Sequence, residues 1–199
     1  MASLMETIMN TLGGDVTKKL SGQLGTDEKT TGAAAGAAVT TLLGALSRNA
    51  SRQGGAESLA NALNKDHDGS VMDDLSGFLS NPQIGNGDGI LKHVLGNRRA
   101  NVEQGIGKAV GLDAGTAGQL LSTLAPIVMG ALGKQQRGQG MNASALAGLL
   151  GQERESIERQ QPAAKGILGS LLDTDGDGDV DMRDLAKHGS GLLGKFFGN

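Results

Sequence analysis

Cysteine, tryptophan and tyrosine are all absent from this chain of 199 residues, and phenylalanine occurs only three times. Without cysteine the protein can form no disulfide, no thiolate metal site and no cysteine nucleophile. Because aromatic residues are so scarce, the core must be built from Leu, Ala, Val, Ile and Met, which suit closely packed helices better than a β-sandwich. No sustained alternation of apolar and polar residues is present, so we predict an all-α protein.

Long apolar runs are missing too. The longest, residues 33–46 and 120–133, contain about 14 residues each, whereas a membrane-spanning helix needs roughly 20. The N-terminal segment MASLMETIMN has no basic leader and places Glu6 where a signal peptide is apolar. We therefore expect no transmembrane segment and, by default, a cytoplasmic location. Export by a route that needs no signal peptide is the alternative.

The formal net charge of −3 conceals an uneven distribution. Residues 64–75 and 173–184 together contain ten aspartates, one lysine and one arginine. The rest of the chain has 16 basic and 11 acidic residues, a balance of +5. Carboxylates concentrated in two short loops indicate cation sites. The basic clusters around Arg98 and Lys134 lack aromatic stacking residues, so nucleic acid is not an expected partner.

An internal repeat relates two parts of the chain at an offset of 86 residues. Residues 25–46 and 111–132 align without gaps and are identical at seven of 22 positions, including the pattern Gly-x-Asp-x-x-Thr-x-Gly. Glycine makes up 34 residues of the chain, so short matches arise by chance, but a shared pattern of this length is harder to dismiss. We predict a helical bundle of two repeated halves, residues 1–97 and 98–199, each closed by an Asp-rich, EF-hand-like loop.

The repeated pattern makes physical sense as the start of a helix. Gly25 and Gly111 suit the position that ends the previous helix, because the left-handed conformation found there costs glycine no Cβ clash. Asp27 and Asp113 can then accept hydrogen bonds from the free backbone N–H groups of the next helix. Each copy is thus expected to contain a glycine-terminated helix followed by an Asp-capped one.

The segment DTDGDGDVDMRD, residues 173–184, fits the twelve-residue EF-hand calcium loop. Gly178 falls where the loop turns sharply, and Val180 is the apolar anchor. Position twelve is aspartate instead of the usual glutamate, so the loop resembles those of dockerin-type modules. We predict Ca²⁺ here; the alternative is a solvated acidic turn without metal. The predicted ligands are Asp173, Asp175, Asp177, Asp179 (through its carbonyl), Asp181 and Asp184.

Residues 64–75, NKDHDGSVMDDL, match the same pattern in part. With Gly69 at position six and Val71 at position eight, position twelve is Leu75, and one residue of slack is needed for a carboxylate to close the loop. We predict a second calcium site of lower affinity here. Its ligands would be Asn64, Asp66, Asp68, Ser70 (through its carbonyl) and Asp74.

Two further features invite weaker metal hypotheses. Asn86 and Asp88 lie in NGDGIL, half of a calcium loop, for which a glycine-rich turn capped by aspartate is the favoured interpretation. His67 and His93 could join nearby carboxylates in a mixed nitrogen and oxygen site for zinc. The alternative is that the two histidines bind no metal, and that one lies on a loop and the other on a helix surface.

The C-terminal segment has an apolar stripe at helical spacing. Such a stripe usually belongs to a core. The competing hypothesis is that it docks on another subunit or on a membrane surface, because two of the three phenylalanines lie in it. The stripe consists of Leu185, Leu192, Leu193, Phe196 and Phe197.

Several phrases of the sequence resemble a known bacterial family. LNKDHDGSVMDDLSGFL, GDGILKHVLGNRR and GLDAGTAGQLLSTLAPIVMGALGKQ are similar to members of the family catalogued as domain of unknown function 937, over most of residues 1–150. The later DTDGDGDVDMRDLAKHGSGLLGKFF resembles the acidic tail that many members have. The resemblance implies a bacterial, helical, Gly/Ala-rich protein, and it supplies no established activity or catalytic residue.

These patterns together favour a non-enzymatic, calcium-binding structural or assembly protein. Ca²⁺ would order the Asp-rich loops and support self-association as a homo-oligomer or fibre subunit, or binding of a protein partner that the sequence does not specify. One alternative is a calcium sensor with a regulated binding surface. The other is a metal-assisted hydrolase. Its residues would be His67, His93, Asp66, Asp68 and Asp88.

Overall fold

The computed structural model describes residues 3–160, in which every regular element is helical, and this confirms the all-α prediction. Short 3-10 turns at Ser70–Met72, Pro82–Gly85 and Gly96–Arg98 join some of the helices. The described α-helices are α1 (Leu4–Thr11), α2 (Asp15–Leu24), α3 (Glu28–Ser51), α4 (Gly55–Asp66), α5 (Leu75–Ser80), α6 (Gly87–Val94), α7 (Arg99–Val110), α8 (Ala114–Gly138) and α9 (Ala143–Gln160).

Helices α3 and α8 form the centre of the fold. They pack against each other, and α1, α2, α4, α6 and α7 all contact one or both of them. Both are apolar around most of their circumference, which is the pattern of a helix buried in a core. Their small residues allow close approach: Ala34, Ala38 and Ala117 are fully buried. The core is aliphatic, as the scarcity of aromatic residues requires.

The starts of α3 and α8 share one geometry. Asp27 and Asp113 are the N-caps, and each carboxylate accepts a hydrogen bond from the backbone N–H (2.9 Å) and one from the hydroxyl (2.6 Å) of the threonine three residues later. These bonds lower the pKa of both aspartates. The preceding helices end at Gly25 and Gly111 with φ of +66° and +77°. The predicted glycine-terminated helix followed by an Asp-capped one is therefore confirmed at both places.

The two predicted halves meet at the core. Although α3 belongs to one half and α8 to the other, the two helices pack directly together, and the described residues up to Ile157 form one compact unit. The predicted boundary between residues 97 and 98 falls inside the 3-10 turn Gly96–Arg98. The arrangement of the whole chain as two loop-closed halves stays a prediction, since most of residues 158–199 lie outside the described part.

Helices α3 and α8 are also long and apolar enough, by length and composition, to cross a membrane. In the described fold, 67% and 78% of their most apolar windows are buried against other helices. Burial of this extent is what the core helices of globular proteins show. The sequence prediction of no spanning segment rested on shorter, strictly apolar runs, and these two helices exceed that length because they include polar residues.

Helix α6 lies very close to α8 in the turn that precedes Pro126. The proline lies inside α8 and has no N–H, so the carbonyl of Ser122 loses its usual partner within the helix. The first residue of α6, Gly87, is buried against that carbonyl: a Cβ atom at Gly87 would lie 1.8 Å from the oxygen. The close contact of α6 and α8 therefore depends on glycine at this position.

A buried carboxylate on α9 fixes the start of α1. Glu153 is 6% exposed, and its two oxygens accept hydrogen bonds from the backbone N–H groups of Leu4 (2.7 Å) and Met5 (3.2 Å). Free N–H groups at a helix N-terminus favour a negative charge. Ser3 completes the cap through a capping box with Glu6. The first and last described helices are thereby joined.

Candidate binding groove and acidic loop

The acidic loop, residues 64–75, connects α4 to α5. Asn64 and Asp66 belong to the last turn of α4, Ser70 begins a 3-10 turn, and Asp74 is the N-cap of α5. The carboxylate of Asp74 accepts a hydrogen bond from the backbone N–H of Gly77 at 2.8 Å. The predicted ligands of the second calcium site thus lie in three consecutive local structures.

Two cations from α8 lie against this loop. Lys134 forms an ion pair with Asp73 (2.7 Å), and Arg137 lies 3.8 Å from the carboxylate of Asp68. Arg137 also donates a hydrogen bond to the backbone carbonyl of Asn64 at 2.9 Å. Bonds from Ser70 are the main cause that lowers the pKa of Asp68. The basic cluster that the sequence shows around Lys134 therefore pairs with the acidic loop.

Three glycines allow the acidic loop to pack directly against the backbone of α8. A Cβ atom at Gly133 would lie 1.9 Å from the carbonyl oxygen of His67, and one at Gly130 would lie 2.3 Å from Val71. On the loop side, Gly69 has φ of +97° and would clash with Lys134 if it had a side chain. The position of the loop depends on these three glycines, which lie in the loop and on the opposing helix.

Within residues 3–160, no three His, Asp or Glu side chains are grouped so that they could hold one metal ion. In the acidic loop, Asp68, Asp73 and Asp74 have separate protein partners. Calcium binding by residues 64–75 stays a prediction, and in the described conformation it would compete with these partners. The stronger predicted calcium loop, residues 173–184, lies outside the described residues, as does the C-terminal apolar stripe.

The third predicted fragment takes part in a polar network. Asn86, in the left-handed conformation, precedes α6. Asp88 accepts hydrogen bonds from the hydroxyl of Ser122 (2.8 Å) and from the guanidinium of Arg99 (2.7 Å), and these bonds lower its pKa. Arg99 also pairs with Glu103 at 2.6 Å. The network links α6, α7 and α8, a connection that the sequence did not predict.

A groove of about 1300 Å³ runs between α4, the acidic loop, the turn Pro82–Gly85 and α6. Part of its lining is apolar. Polar side chains and charged side chains of both signs lie among the apolar ones. His67 and His93, which sequence analysis considered as metal ligands, both line it. The apolar lining includes Leu46, Leu59, Ala62, Val71, Phe78, Ile84, Ile90, Val94, Pro126 and Met129, and the charged lining includes Arg52, Lys65, Asp66 and Asp68.

His67 is half-buried in the wall of this groove. Burial lowers the pKa of the imidazole, and the neighbouring Asp66 carboxylate offsets part of this effect. The folded protein therefore holds a proton on His67 less readily than the unfolded chain does, in which the pKa is about 6.5. Neutral His67 is the form that fits the folded groove wall.

The stability of the protein is expected to fall as the pH drops below about 6.5. The reason is that His67 becomes protonated at a higher pH in the unfolded chain than in the folded protein. In urea titrations at pH 7.5 and pH 5.5, His67→Gln should lose less stability than the wild type. Asp66→Asn removes the offsetting charge, so it should make the loss larger. Equal losses in the wild type and His67→Gln would contradict this role.

The fold and the groove together define an all-helical protein with an aliphatic core and a mixed apolar and polar surface groove. A family model described as a bacterial protein of unknown function (DUF937) matches residues 6–135. The chain belongs to this family, which confirms the resemblance seen in its sequence. The matched region includes the acidic loop and ends before residues 173–184. No curated protein and no solved structure matches the chain.

Proposed function

We propose that this protein is a non-enzymatic, calcium-binding helical protein that self-associates. The observation that carries the calcium assignment is the spacing of the six aspartates in residues 173–184 around Gly178 and Val180. Ca²⁺ takes six to eight oxygen ligands, and a loop with this spacing wraps them around one ion. The six carboxylates, offset only by Arg183, would otherwise repel one another in this short segment.

The principal calcium site is assigned to residues 173–184 and only a subsidiary one to the acidic loop. Asp68 and Asp73 of the acidic loop already face Arg137 and Lys134. A cation that bound there would have to displace these side chains, which lowers its affinity. The ion pairs are largely exposed, so each contributes little to stability, and a high calcium concentration can displace them.

A structural role is favoured over a sensor. Sensors of the EF-hand type open a methionine-rich groove when calcium binds. Here the groove is already open in the described residues, and Met129 is the one methionine in its lining. Calcium would then stabilise a segment that takes part in assembly. A sensor would bind near micromolar calcium and change shape; a structural site would bind with little change.

Calcium is expected to bind the purified full chain and to raise its melting temperature. At free calcium 100-fold above the dissociation constant, a single site adds about 2.7 kcal/mol to the stability of the part it binds. Asp173→Ala combined with Asp175→Ala should abolish most of the calorimetric binding signal. The matched pair Asp66→Ala with Asp68→Ala should retain it. A wild type that shows no calcium binding by calorimetry would exclude the proposal.

Elemental analysis of the same preparation tests the hydrolase alternative. That alternative uses His67 and His93 with Asp66, Asp68 and Asp88 around one ion. Of these, Asp88 is already bonded to Arg99 and Ser122, and Asp68 to Ser70. Tightly held zinc or manganese that is lost in His67→Gln and His93→Gln would favour the hydrolase. Calcium as the bound metal, lost with Asp173 and Asp175, would favour the structural role.

A further inference from the structure

The dipeptide Asn86–Gly87 joins the turn Pro82–Gly85 to α6, and Asn86 is the one asparagine of the chain that glycine follows. In such a pair the glycine nitrogen can attack the asparagine side chain, because glycine has no side chain that shields its nitrogen. The nitrogen of Gly87 would bond to Cγ of Asn86 in a succinimide ring, the Cγ–Nδ2 bond would break, and the amide would leave as ammonia with the Gly87 proton. Water then opens the ring at either carbonyl and leaves aspartate or isoaspartate at position 86.

The backbone conformation of Asn86 holds the two reacting atoms apart. Ring closure needs the Gly87 nitrogen and the Cβ atom of Asn86 on the same side of the bond between Cα and the carbonyl carbon. In the left-handed conformation of Asn86, with φ of 50° and ψ of 42°, these atoms lie on opposite sides. Asn86 is exposed to water, but its folded geometry is unreactive.

Two contacts prevent the rotation about this bond that would bring the atoms together. The carbonyl of Asn86 accepts a hydrogen bond from the backbone N–H of Ile90 at 3.1 Å. Gly87 is buried against the carbonyl of Ser122, so the peptide group that follows Asn86 cannot turn while α6 stays on α8. The rotation therefore requires the first turn of α6 to leave α8.

We propose that Asn86–Gly87 is a deamidation site that reacts only when α6 separates locally from α8. The site is independent of calcium and of self-association. Local openings of this kind occur in folded proteins at a small fraction of the time, and each opening exposes the dipeptide to the reaction. Because deamidation is irreversible, the modified fraction increases with the age of the protein.

The two products differ in their effect on the fold. Aspartate at position 86 leaves the backbone unchanged, and a carboxylate suits the N-terminus of a helix. Isoaspartate continues the chain through Cβ and so adds one main-chain atom directly before Gly87, where the backbone of α8 leaves no room. A chain with isoaspartate cannot return α6 to its place. The groove then loses the wall that Ile90 and His93 form.

Peptide mapping by mass spectrometry tests the site in the purified full chain, incubated at mildly alkaline pH. The peptide that contains Asn86 should convert from amide to acid. Conversion should be at least about tenfold slower in the native protein than in the same chain in guanidinium chloride, since only the opened fraction reacts. Equal rates in the folded and unfolded chain would overturn the proposal, and so would the absence of conversion in denaturant.

Two variants distinguish local from global opening. Arg99→Gln removes the 2.7 Å bond to Asp88 on α6, so it should accelerate deamidation several-fold. Glu153→Ala releases the start of α1 and leaves the contacts of α6 in place, so it should not. If both variants accelerate the reaction in proportion to their loss of global stability, global unfolding is the route and the local opening of α6 is excluded.

Hydrogen exchange of the products tests the effect on the fold. Asn86→Asp has the new charge without the additional main-chain atom, so Ile90 and Leu91 should exchange as slowly as in the wild type. Protein that is deamidated in denaturant and refolded should contain a second population that exchanges faster at these residues. A refolded sample that exchanges like Asn86→Asp throughout would show that isoaspartate does not keep α6 from α8.

Discussion

Replacing Gly87 by alanine is expected to destabilise the fold by more than about 3 kcal/mol. The new Cβ atom would lie 1.8 Å from the carbonyl oxygen of Ser122, a backbone atom of the central helix α8 that cannot rotate away. Relief requires α6 to move off α8, which would separate the buried side chains of Ile90 and Leu91 from the core. Urea unfolding followed by circular dichroism measures the loss.

Gly44→Ala is the matched control for this prediction. Gly44 lies inside α3, and a Cβ atom there would meet nothing within 4 Å. Alanine is favoured over glycine within a helix by up to about 1 kcal/mol, so this variant should be as stable as the wild type or more stable. Similar unfolding midpoints for Gly87→Ala and Gly44→Ala would contradict the close approach of α6 and α8.

Glu153→Ala is the second large effect we expect, a loss of about 2–3 kcal/mol. The substitution leaves the N–H groups of Leu4 and Met5 without their carboxylate acceptor at a buried helix start. Glu153→Gln keeps one acceptor oxygen but removes the charge, so its loss should be smaller. Thermal or urea unfolding gives the stabilities, and amide hydrogen exchange at Leu4 and Met5 reports the local opening of α1.

Gln152→Ala provides the comparison on the same helix. Gln152 is exposed, so its truncation should change stability by no more than about 0.5 kcal/mol. An equal effect of Glu153→Ala and Gln152→Ala would show that the carboxylate does not hold α1. Faster exchange throughout the protein in Glu153→Ala, without a preference for α1, would also contradict the local capping role.

The features that could be predicted from sequence are those fixed by neighbours along the chain. The caps of α3 and α8 need only an aspartate and a threonine three residues apart, and Asp27 and Asp113 adopt the predicted roles. The preceding glycines Gly25 and Gly111 likewise have the predicted left-handed conformation. The all-helical class follows from the absence of strand periodicity and the scarcity of aromatic residues.

The repeat alone could not predict which glycines are packed. Gly44 and Gly130 are aligned at the offset of 86 residues, and both lie in central helices. Nothing approaches Gly44, whereas Val71 of the acidic loop lies against Gly130. The difference in packing between the two glycines arises from a segment distant in sequence, so the residues next to either glycine do not predict it.

The acidic loop shows the same limit for a candidate site. Its spacing resembles a calcium loop, and spacing is all that one segment of sequence supplies. Whether its carboxylates are free depends on Lys134 and Arg137, which lie on another helix more than 60 residues further along. The groove and the cap by Glu153 were missed for the same reason, because each is assembled from helices far apart in the chain.

The bond between Leu4 and Glu153 joins residues 149 positions apart, and this separation has a consequence for synthesis. At 5–20 residues per second, a ribosome needs roughly 7–30 s to make the intervening chain. During that time α1 has left the ribosome, but the carboxylate that caps its start does not yet exist. We therefore expect the cap of α1 to form late on the nascent protein, only after α9 has been made, although α1 precedes the other described helices in the chain.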